Sequence, residues 1–528
     1  MGTLAHTETR AAEPAQRMDI EIYVPATGEL ERTKEATAIT SLPDVMARAR
    51  AAQAGWAQRS LRERAAVLLR VAEVLYRSAD GLAEALQRYN GKSAEEALLS
   101  EVYPAAANFR YFARASARHL RPRRLRLGAL PLAYSRVRYE PLGVVGVIAP
   151  WNYPFLLATL DLPAALMAGN ACVIKVSEHA AATGERIEQV LAEARMPAHL
   201  VQVIYGFGDL GAALIESGID KLCFIGSSRV GRLVYAAAAQ RMIPVTLELG
   251  GKDAALLLED ADLEDAADGI LWAGLANCGQ ACASVELVYV PDALRADFIA
   301  RLQRKLAALP EESLGAMNVP FQKQLVLEQL RDARERGARV VAERARRGDH
   351  PFLLPITFLS DVPDDALLLR EETFGPVLAI QGYRSLEEAL RRINASPFGL
   401  TSSIWTADRR RGQELAHRLQ SGTVTINEHM ITPGMPEAPW GGWKASGLGV
   451  SHSVLSLPAF CRLQYVFHDR GLLRYKFWRF PYSAGKARWL RRFLASQLDP
   501  SPWRRFTSLL AAAPRLLLRR NQPLSGPD

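Results

Sequence analysis

Residues 141–174 hold only one charged side chain, Asp161, and this apolar stretch constrains the fold more than any other feature. A run of this length could cross a membrane as a helix. Four prolines interrupt it, however, at positions 141, 150, 154 and 163, and proline breaks a helix because it lacks the backbone N–H donor. The stretch therefore predicts a buried strand, a turn, a helix and a second strand.

Strands alternate with helices along residues 143–249. The pattern predicts strands at 143–149, 171–176 and 222–225, and a helix that follows the last strand and runs through Gln240. Such alternation predicts a parallel, doubly wound sheet. Gly226 and Gly231 lie at the strand-to-helix turn, where glycines let a pyrophosphate approach the helix N-terminus. The turn lacks the G-x-G-x-x-G spacing, so this signal is weak by itself.

A Pro-Trp-Asn-Tyr-Pro turn, residues 150–154, follows the first of these strands. Open α/β sheets bind ligands at the carboxyl ends of their strands, which is where this turn is expected. Taken alone, Asn152 is a turn-forming amide. In this context its side-chain N–H can donate to an oxyanion, and we predict that role.

Cys282 lies in a small loop, N-C-G-Q-A-C-A-S, between the apolar segments 270–276 and 285–290. A lone cysteine is most often a buried structural residue. Glu248 favours a different interpretation, because it ends an apolar strand beside two glycines that permit close backbone approach. A cysteine nucleophile needs a base in its reaction cycle, and Glu248, 34 residues upstream, is the candidate.

A second α/β segment runs from residue 283 to about 427 and contains the sequence E-E-T-F-G-P-V at 371–377. A carboxylate next to an aromatic residue and a Gly-Pro turn is usually only a loop. In a dinucleotide site, Glu372 and Phe374 could instead hold ribose hydroxyls and brace a nicotinamide. A further loop, P-W-G-G-W-K-A-S-G at 439–447, has no periodicity that explains it.

These motifs, in this order over residues 20–467, resemble the aldehyde dehydrogenase superfamily. The resemblance implies that Cys282 is the nucleophile and Glu248 the general base, and that Asn152 and the Cys282 backbone N–H form the oxyanion hole. It also implies a set of cofactor-binding residues. These are Trp151; Lys175 and Glu178 at the adenosine ribose; Gly226, Ser227 and Gly231 at the pyrophosphate; and Glu372 and Phe374 at the nicotinamide ribose.

The activity that follows is the oxidation of an aldehyde to a carboxylic acid through a thiohemiacetal and a hydrolysed thioester. NAD is the expected cofactor because Glu178 would repel a 2′-phosphate, with NADP as the alternative; no metal is expected. Two other functions stay open, a cofactor-independent cysteine esterase and a catalytically silent scaffolding relative. Three positions depart from the common family pattern: Leu287, Trp440 and Trp443.

The expected architecture is α/β. It combines a doubly wound parallel-sheet cofactor domain, a second α/β catalytic domain, a small β hairpin for oligomerisation into a homodimer or homotetramer, and a basic helical C-terminal extension. The boundaries are 1–17 for a flexible tail, 18–124 with 141–247 for the cofactor domain, 248–427 for the catalytic domain, 125–140 with 428–467 for oligomerisation, and 468–528 for the extension.

The five cysteines form an odd, widely spaced set with no C-x-x-C pair and no metal-ligand spacing. Such a set argues for a reducing compartment and against a disulfide framework or a zinc site. The N-terminal residues are polar and lack the apolar core of a secretory signal. We therefore expect a cytoplasmic protein.

The net charge of +9 belongs to the C-terminal tail. Residues 470–528 carry 13 Lys or Arg against two Asp, which leaves about −2 for the remainder, so the enzyme body has no basic excess that would indicate nucleic-acid binding. From 486 to 498, five apolar residues share one helical face flanked by arginines: Trp489, Leu490, Phe493, Leu494 and Leu498.

A second apolar stretch in the tail, 506–518, contains Pro514 and is too short to span a bilayer. Aromatic residues beside arginines suit an interfacial helix on an anionic membrane. Two interpretations of 470–520 stay open, a peripheral membrane anchor and a segment that packs on the enzyme body or across a dimer. Nucleic-acid binding is a weaker third, because no known motif organises the charges.

Overall fold

The computed structural model describes residues 19–125, 134–348, 350–469, 479–480 and 482–516. The chain divides into two compact units. The first contains the residues up to His119 together with Pro141–Cys461, and the second contains Leu120–Glu140 and the residues from Arg462 onward.

The described residues form strands that we number in chain order: β1 Asp19–Val24, β2 Glu29–Glu35, β3 Arg123–Arg124, β4 Tyr134–Pro141, β5 Val144–Ile148, β6 Ala171–Val176, β7 Val201–Tyr205, β8 Lys221–Ile225, β9 Val245–Glu248, β10 Asp253–Leu257, β11 Val285–Pro291, β12 Arg339–Arg344, β13 Ile356–Ser360, β14 Val377–Tyr383, β15 Phe398–Gly399, β16 Thr401–Trp405, β17 Thr423–Ile426, β18 Trp443–Lys444, β19 Gly447–Leu448 and β20 Cys461–His468.

The α-helices are numbered in the same way: α1 Leu42–Ala57, α2 Leu61–Arg77, α3 Ala79–Asn90, α4 Ala94–Ala97, α5 Tyr103–Leu120, α6 Pro154–Thr159, α7 Leu162–Ala168, α8 Ala181–Glu193, α9 Gly208–Glu216, α10 Ser228–Gln240, α11 Leu263–Leu275, α12 Asp292–Ala308, α13 Pro320–Glu335, α14 Leu367–Arg370, α15 Leu386–Ala395, α16 Arg409–Ala416, α17 Ala484–Leu498 and α18 Pro502–Leu516.

A six-stranded sheet in the first unit has the order β19-β9-β8-β5-β6-β7. Its strands pair in parallel except β19, which runs antiparallel to β9. The chain builds outward from β5 to β7 and then returns to place β8 on the other side of β5. The order therefore switches between β5 and β8, and the crevice at the carboxyl ends of these two strands is where such sheets bind ligands.

A seven-stranded sheet in the same unit has the order β12-β13-β14-β11-β10-β16-β17, and all its pairs are parallel except the edge pair β12–β13. Alternate residues of β10 enter two separate apolar clusters: Ala254 and Leu256 in one, Ala255 and Leu257 in the other. Both faces of the sheet are covered, which explains why its central strands are apolar without alternation. The predicted α/β class is confirmed.

The second unit contains a three-stranded sheet, β20-β4-β3, and the helices α17 and α18. The structure divides the segment 428–467, which was predicted to serve oligomerisation, between the two units. Residues 428–461 belong to the first unit, where β19 pairs with β9, and the strand β20 joins β4.

The described part of the helix α18 runs to Leu516 and includes Pro514, so the proline does not separate two segments. Within the described ranges, no helix is both long and apolar enough to cross a membrane.

Gly231 provides a test of how the helix α10 packs on its sheet. A methyl group at this position would overlap the side chain of buried Leu249. We expect Gly231→Ala to destabilise the protein by about 1–3 kcal/mol through overpacking, measured as a lower thermal midpoint. The matched control is Gly81→Ala in α3, where the added methyl meets no atom within 4 Å and should stabilise the helix slightly. Equal midpoints for the two variants would contradict the packing argument.

Candidate functional site

The loop that presents Cys282 has an unusual backbone. Between α11 and β11, three consecutive residues take left-handed conformations, Asn277 with φ 50°, Cys278 with φ 58° and Gly279 with φ 70°. Gly279 lies so close to the carbonyl of Gly375 that any side chain would clash. Cys282 emerges partly exposed, whereas the other four cysteines are buried. The loop therefore exposes one thiol while its neighbours stay packed.

Asn152 is tied to this cysteine loop. Its side-chain Nδ2 donates to the backbone carbonyl oxygen of Gln280 at 2.9 Å. The backbone carbonyl of Asn152 accepts from Asn277 Nδ2 at 2.8 Å and from Lys92 Nζ at 3.1 Å. Each amide nitrogen carries two hydrogens, and one remains for another acceptor. The structure thus brings Asn152 beside the nucleophile candidate with a donor to spare, as an oxyanion hole requires.

Glu248 is buried at the end of β9, and neither carboxylate oxygen has a hydrogen-bond partner within the described ranges. Burial raises the pKa of Glu248 well above its usual value, and the negative charge of Asp161 raises it further. The Ser451 hydroxyl and the Trp440 indole oppose this rise in pKa only in part, since neither makes a hydrogen bond to the carboxylate. A carboxyl group of this kind suits a general base or acid.

The thiol of Cys282 lies among acidic groups. Burial raises its pKa, and the carboxylates of Asp253, Glu372 and Glu248 add to the rise. The resting side chain is therefore a thiol, and attack on a substrate requires a group that takes its proton. Cys282 also packs beside Ala283, Leu400, Trp440 and Met430, which give the site an apolar wall.

Glu372 and Phe374 lie on a loop that reaches the cysteine region. The Oε1 atom of Glu372 accepts the N–H of Gly251 at 3.0 Å, and burial raises the pKa of Glu372 to about 8. The Phe374 ring meets Trp151 edge to face, with centroids 5.4 Å apart. The structure therefore brings Trp151, at the carboxyl end of β5, together with the Glu372 loop.

Lys175 and Glu178 form an ion pair at the carboxyl end of β6, with Nζ and Oε2 3.3 Å apart. Burial alone would raise the pKa of Glu178, but Lys175 holds it below its usual value. An ionised carboxylate beside an ammonium offers acceptors and donors for a pair of ribose hydroxyls. These residues lie in the same sheet as the switch between β5 and β8.

The turn after β8 starts the helix α10. Gly226 donates its N–H to the carbonyl of Glu248 at 3.0 Å, and the Ser227 hydroxyl accepts the N–H of Val230 at 3.3 Å as the helix cap. Gly231 differs from the expectation: its N–H donates to Ser227 within the helix, at 2.8 Å, and its bare Cα face packs on Leu249. The geometry gives Gly231 a packing role and no free donor for a pyrophosphate.

A dinucleotide fits these groups. The first-turn N–H groups of α10 can hold an anion, the Lys175–Glu178 pair can hold a ribose, and the Glu372 loop with Trp151 can hold the reactive end. The first two lie at the carboxyl ends of β8 and β6 in the six-stranded sheet, and Trp151 follows β5 at the switch point, whereas the Glu372 loop precedes β14 of the seven-stranded sheet.

Two buried ion pairs that sequence reasoning missed hold the loops of the site. Lys92 and Glu101, 2.5 Å apart, fix the turn at Asn152, because Glu101 also accepts the N–H of Phe155 at 2.7 Å. Lys252 and Glu286, also 2.5 Å apart, support the other loop. Glu286 accepts the N–H groups of residues 373 and 374 at 2.9–3.0 Å. A glutamate inside the apolar strand β11 was the one signal the sequence offered.

Comparison with known proteins agrees with this arrangement. A model of the aldehyde dehydrogenase family matches residues 12–466. The chain is 37% identical over 436 residues to a 4,4′-diapolycopene aldehyde oxidase from Methylomonas sp., covering 81% of this chain and 82% of the relative.

Two solved structures have the same fold. The NAD+ complex of an aldehyde dehydrogenase from Bacillus cereus superposes with a TM-score of 0.82 at 29% identity, over 86% of this chain and 94% of that one. An NADP-dependent enzyme from E. coli superposes with a TM-score of 0.81 at 28% identity, over 85% and 94%.

The acidic surroundings of Cys282 predict its reactivity. Because they raise the pKa of the thiol, alkylation by iodoacetamide should be slow at neutral pH and accelerate as pH rises. Above a pH of about 8, where Glu372 is ionised, Glu372→Gln removes one of the charges and should speed alkylation, by about tenfold for each unit that the pKa of Cys282 falls. Label incorporation is measured by mass spectrometry, with Cys282→Ala as the unlabelled control. Equal rates in the wild type and Glu372→Gln would exclude this electrostatic effect.

Proposed function

The chain belongs to the aldehyde dehydrogenase family, and we propose that Cys282, Glu248 and Asn152 carry its oxidation of an aldehyde to a carboxylic acid. The observation that carries this assignment is the buried, unpaired carboxyl of Glu248 whose charge reaches the partly exposed Cys282 thiol. Asn152 is tied to the same loop with one amide hydrogen unused.

In the first step the Cys282 sulfur bonds to the carbonyl carbon of the aldehyde. The thiol must lose its proton, and Glu248 is the carboxylate with the raised pKa that suits its removal. Negative charge then develops on the substrate oxygen, where the free Asn152 N–H and the Cys282 backbone N–H can donate. One donor of this kind contributes about 3 kcal/mol to stabilising the transition state.

A bound nicotinamide cofactor supplies the hydride acceptor that converts the thiohemiacetal to a thioester. The residues of the chain complete the reaction. Glu248 first releases the proton of the thiol to solvent and then takes a proton from water. The water oxygen bonds to the thioester carbon, and the bond to Cys282 sulfur breaks to release the acid and the thiolate. Because Glu248 must be ionised for this step and its pKa is raised, hydrolysis should slow as pH falls through that raised pKa.

NAD is the proposed cofactor, and the supporting observation is the ionised Glu178 beside Lys175. A carboxylate that holds the ribose hydroxyls would repel the 2′-phosphate of NADP. The B. cereus structure contains NAD+, while the E. coli relative is NADP-dependent, so the fold accommodates either. The proposal of NAD rather than NADP therefore rests on Glu178.

The proposed substrate is an apolar aldehyde. Support comes from the side chains beside Cys282, among them Leu400, Met430 and the departure Trp440. An apolar wall favours aldehydes that leave water readily, such as long-chain or aromatic ones. The Methylomonas relative is named for a diapolycopene aldehyde, which agrees with this class.

We propose further that α17 and α18 dock on an anionic lipid surface. Trp489, expected on a lipid-facing side, is instead buried and stacks on Phe493 with ring centroids 5.4 Å apart, so it fixes the fold of the extension. Other apolar side chains of the extension are exposed: Phe480 at 83%, Tyr482, Leu494, Leu498 at 75%, Trp503 at 72%, Phe506 and Leu510.

The charges of the extension match such a surface. Between 479 and 516 the sequence has one acidic residue, Asp499, against eight Lys or Arg. Six of these cations are exposed: Arg479, Arg488, Arg491, Arg492, Arg504 and Arg505. Aromatic rings at headgroup depth with cations beside them are the composition of an interfacial helix.

Association between copies of the chain is also proposed, through the sheet β20-β4-β3. The edge strand β20 supports it, because Leu463, Tyr465 and Phe467 are exposed along its length. A strand of this kind offers unpaired backbone groups and apolar surface to a second copy. The five free cysteines agree with the cytoplasm as the proposed location.

The enzymatic assignment is tested with two variants. Cys282→Ala should abolish aldehyde oxidation while cofactor binding stays intact. Glu248→Gln should still form one equivalent of reduced cofactor, then accumulate acyl-enzyme, with steady-state turnover lower by about 10²–10⁴-fold. Reduced nicotinamide is followed by absorbance, with NAD and NADP in parallel over apolar and polar aldehydes.

The outcomes separate the competing functions. Turnover by Cys282→Ala would remove the nucleophile assignment, and a normal steady-state rate in Glu248→Gln would remove the base. Ester hydrolysis that needs no cofactor, without aldehyde oxidation, would indicate the esterase. Faster turnover with NADP would contradict the role given to Glu178.

Lipid docking is tested by co-sedimentation of the full chain with vesicles that contain anionic lipid. Replacing Arg491 and Arg492 with Glu should weaken partitioning at least about tenfold, since each cation contributes about 1 kcal/mol. Replacing Trp503 and Phe506 with Ser should weaken it as well. The control is Tyr76→Ser, which removes an aromatic that is 81% exposed in the first unit. Equal partitioning of all these proteins at low salt would exclude the lipid surface.

A further inference from the structure

A histidine, His429, is fully buried beside the cysteine loop. Its Nε2 atom lies 3.1 Å from the backbone carbonyl oxygen of Ala283 and 3.1 Å from the hydroxyl oxygen of Thr401. Burial lowers the pKa of His429 to about 4, so the ring is neutral at neutral pH and has one N–H hydrogen. A carbonyl oxygen can only accept a hydrogen bond, so this hydrogen is on Nε2, which donates it.

The hydrogen bonds continue from His429 to a carboxylate. The Thr401 hydroxyl donates to Oδ2 of Asp253, and the Thr401 backbone N–H donates to Oδ1 of the same residue at 3.1 Å. A hydroxyl has one hydrogen, so the Thr401 oxygen is left to accept from His429. Asp253 and Thr401 are also buried, at the start of the paired strands β10 and β16. We call these three side chains, with the Ala283 carbonyl, the His429 network.

The His429 network holds the backbone around the nucleophile candidate. Three of its residues are sequence neighbours of side chains in the apolar cluster around the thiol: Ala283 of Cys282, Thr401 of Leu400, and His429 of Met430. Because the members of each pair are joined by one peptide group, fixing the first restricts the position of the second. One network therefore sets where the thiol lies relative to the apolar wall.

The cysteine loop is also held by close packing on Gly251. A Cβ atom at Gly251 would lie 2.6 Å from the Cys282 carbonyl oxygen and 2.7 Å from Oδ1 of Asp253, so only glycine fits here. The Cys282 carbonyl thus packs on Gly251, while the next carbonyl, that of Ala283, is bound by His429. Two consecutive peptide groups beside the thiol are therefore fixed.

The presence of a histidine at position 429 is itself informative. Its second ring nitrogen, Nδ1, has no hydrogen-bond partner among the described residues, although the side chain is buried. An unpaired buried acceptor destabilises a fold, and an apolar side chain of similar size would avoid it. The hydrogen bonds made by Nε2 offset this loss. A pKa of about 4 also makes His429 a weak base at neutral pH, so the reaction does not need it to accept a proton.

We propose that His429 is a positioning residue for aldehyde oxidation: its Nε2 hydrogen holds the Ala283 carbonyl, and with Thr401 and Asp253 it sets the distance between the Cys282 sulfur and an aldehyde that lies on the apolar wall. This inference rests on the proposed function of Cys282. Sulfur and carbon react only from about 3–3.5 Å apart, and a displacement of about 1 Å lowers the rate about a hundredfold. His429 touches neither substrate nor cofactor in this scheme.

The test compares His429→Phe with His429→Gln. Phenylalanine fills the site without a donor, whereas the glutamine Nε2 can reach the place of the histidine Nε2 and donate. With decanal as the probe, kcat/KM should fall about a hundredfold in His429→Phe, and His429→Gln should restore most of the loss. Binding of NADH, followed by its fluorescence, should be unchanged in both variants.

Alkylation by iodoacetamide separates positioning from a change in the thiol itself. This reagent needs neither the apolar wall nor an oxyanion donor, so Cys282 should be labelled at the wild-type rate in His429→Phe. A labelling rate that falls together with kcat/KM would show that the thiol had changed and would overturn the proposal. Oxidation of decanal at the wild-type rate by His429→Phe would overturn it too, as would a His429→Gln variant no faster than His429→Phe.

Two threonines provide a second test that decides the proposal even if His429→Phe does not fold. Thr401→Val removes the hydroxyl that joins His429 to Asp253, so kcat/KM for decanal should fall about tenfold as its two hydrogen bonds are lost. The matched control is Thr357→Val in β13, a buried threonine of the same sheet whose hydroxyl has no partner in the part of the chain that the structure describes. Equal kcat/KM values for the two variants would contradict the proposal. Turnover by Cys282→Ala would instead refute the proposed function of the nucleophile.

Discussion

The hydrogen bond from the Asn152 amide to the carbonyl of Gln280, 2.9 Å long, joins the two sheets of the first unit at the site. Asn152 follows a strand of the six-stranded sheet, and Gln280 precedes a strand of the seven-stranded one. An oxyanion donor is useful only where it faces the reacting carbonyl, so its position relative to Cys282 must be fixed. The buried Lys92 and Asn277 donate to the same residue and hold it there.

Buried acids give the site its chemical character. Burial raises the pKa values of four acids, Glu248, Asp253, Glu372 and Asp161. The lysines that balance such charges lie away from the reactive groups. Lys252 supports the Glu372 loop through Glu286 and Thr373. A site with these carboxyls takes protons readily, which suits a reaction that must deprotonate a thiol and then a water.

The sequence predicted the helices of the C-terminal extension but not which of their side chains are buried. Its helical periodicity was readable from the sequence, but which apolar residues form its interior was not. Trp489 and Leu498 share one predicted face, and the structure buries the first and exposes the second. The helix α17 lies against α18, and contacts between helices leave no trace in the periodicity of either one.

The sequence by itself determined the α/β class, the strands around residues 144–225 and the family to which the chain belongs. These features depend on local patterns, namely alternation, glycine and proline turns, and short motifs such as those at Asn152 and Cys282. Only the tertiary structure decided that Gly231 packs on Leu249 and that Glu286 accepts the N–H groups of residues 373 and 374. Both outcomes depend on which strands are neighbours, and sheet order is set by contacts between residues far apart in the chain.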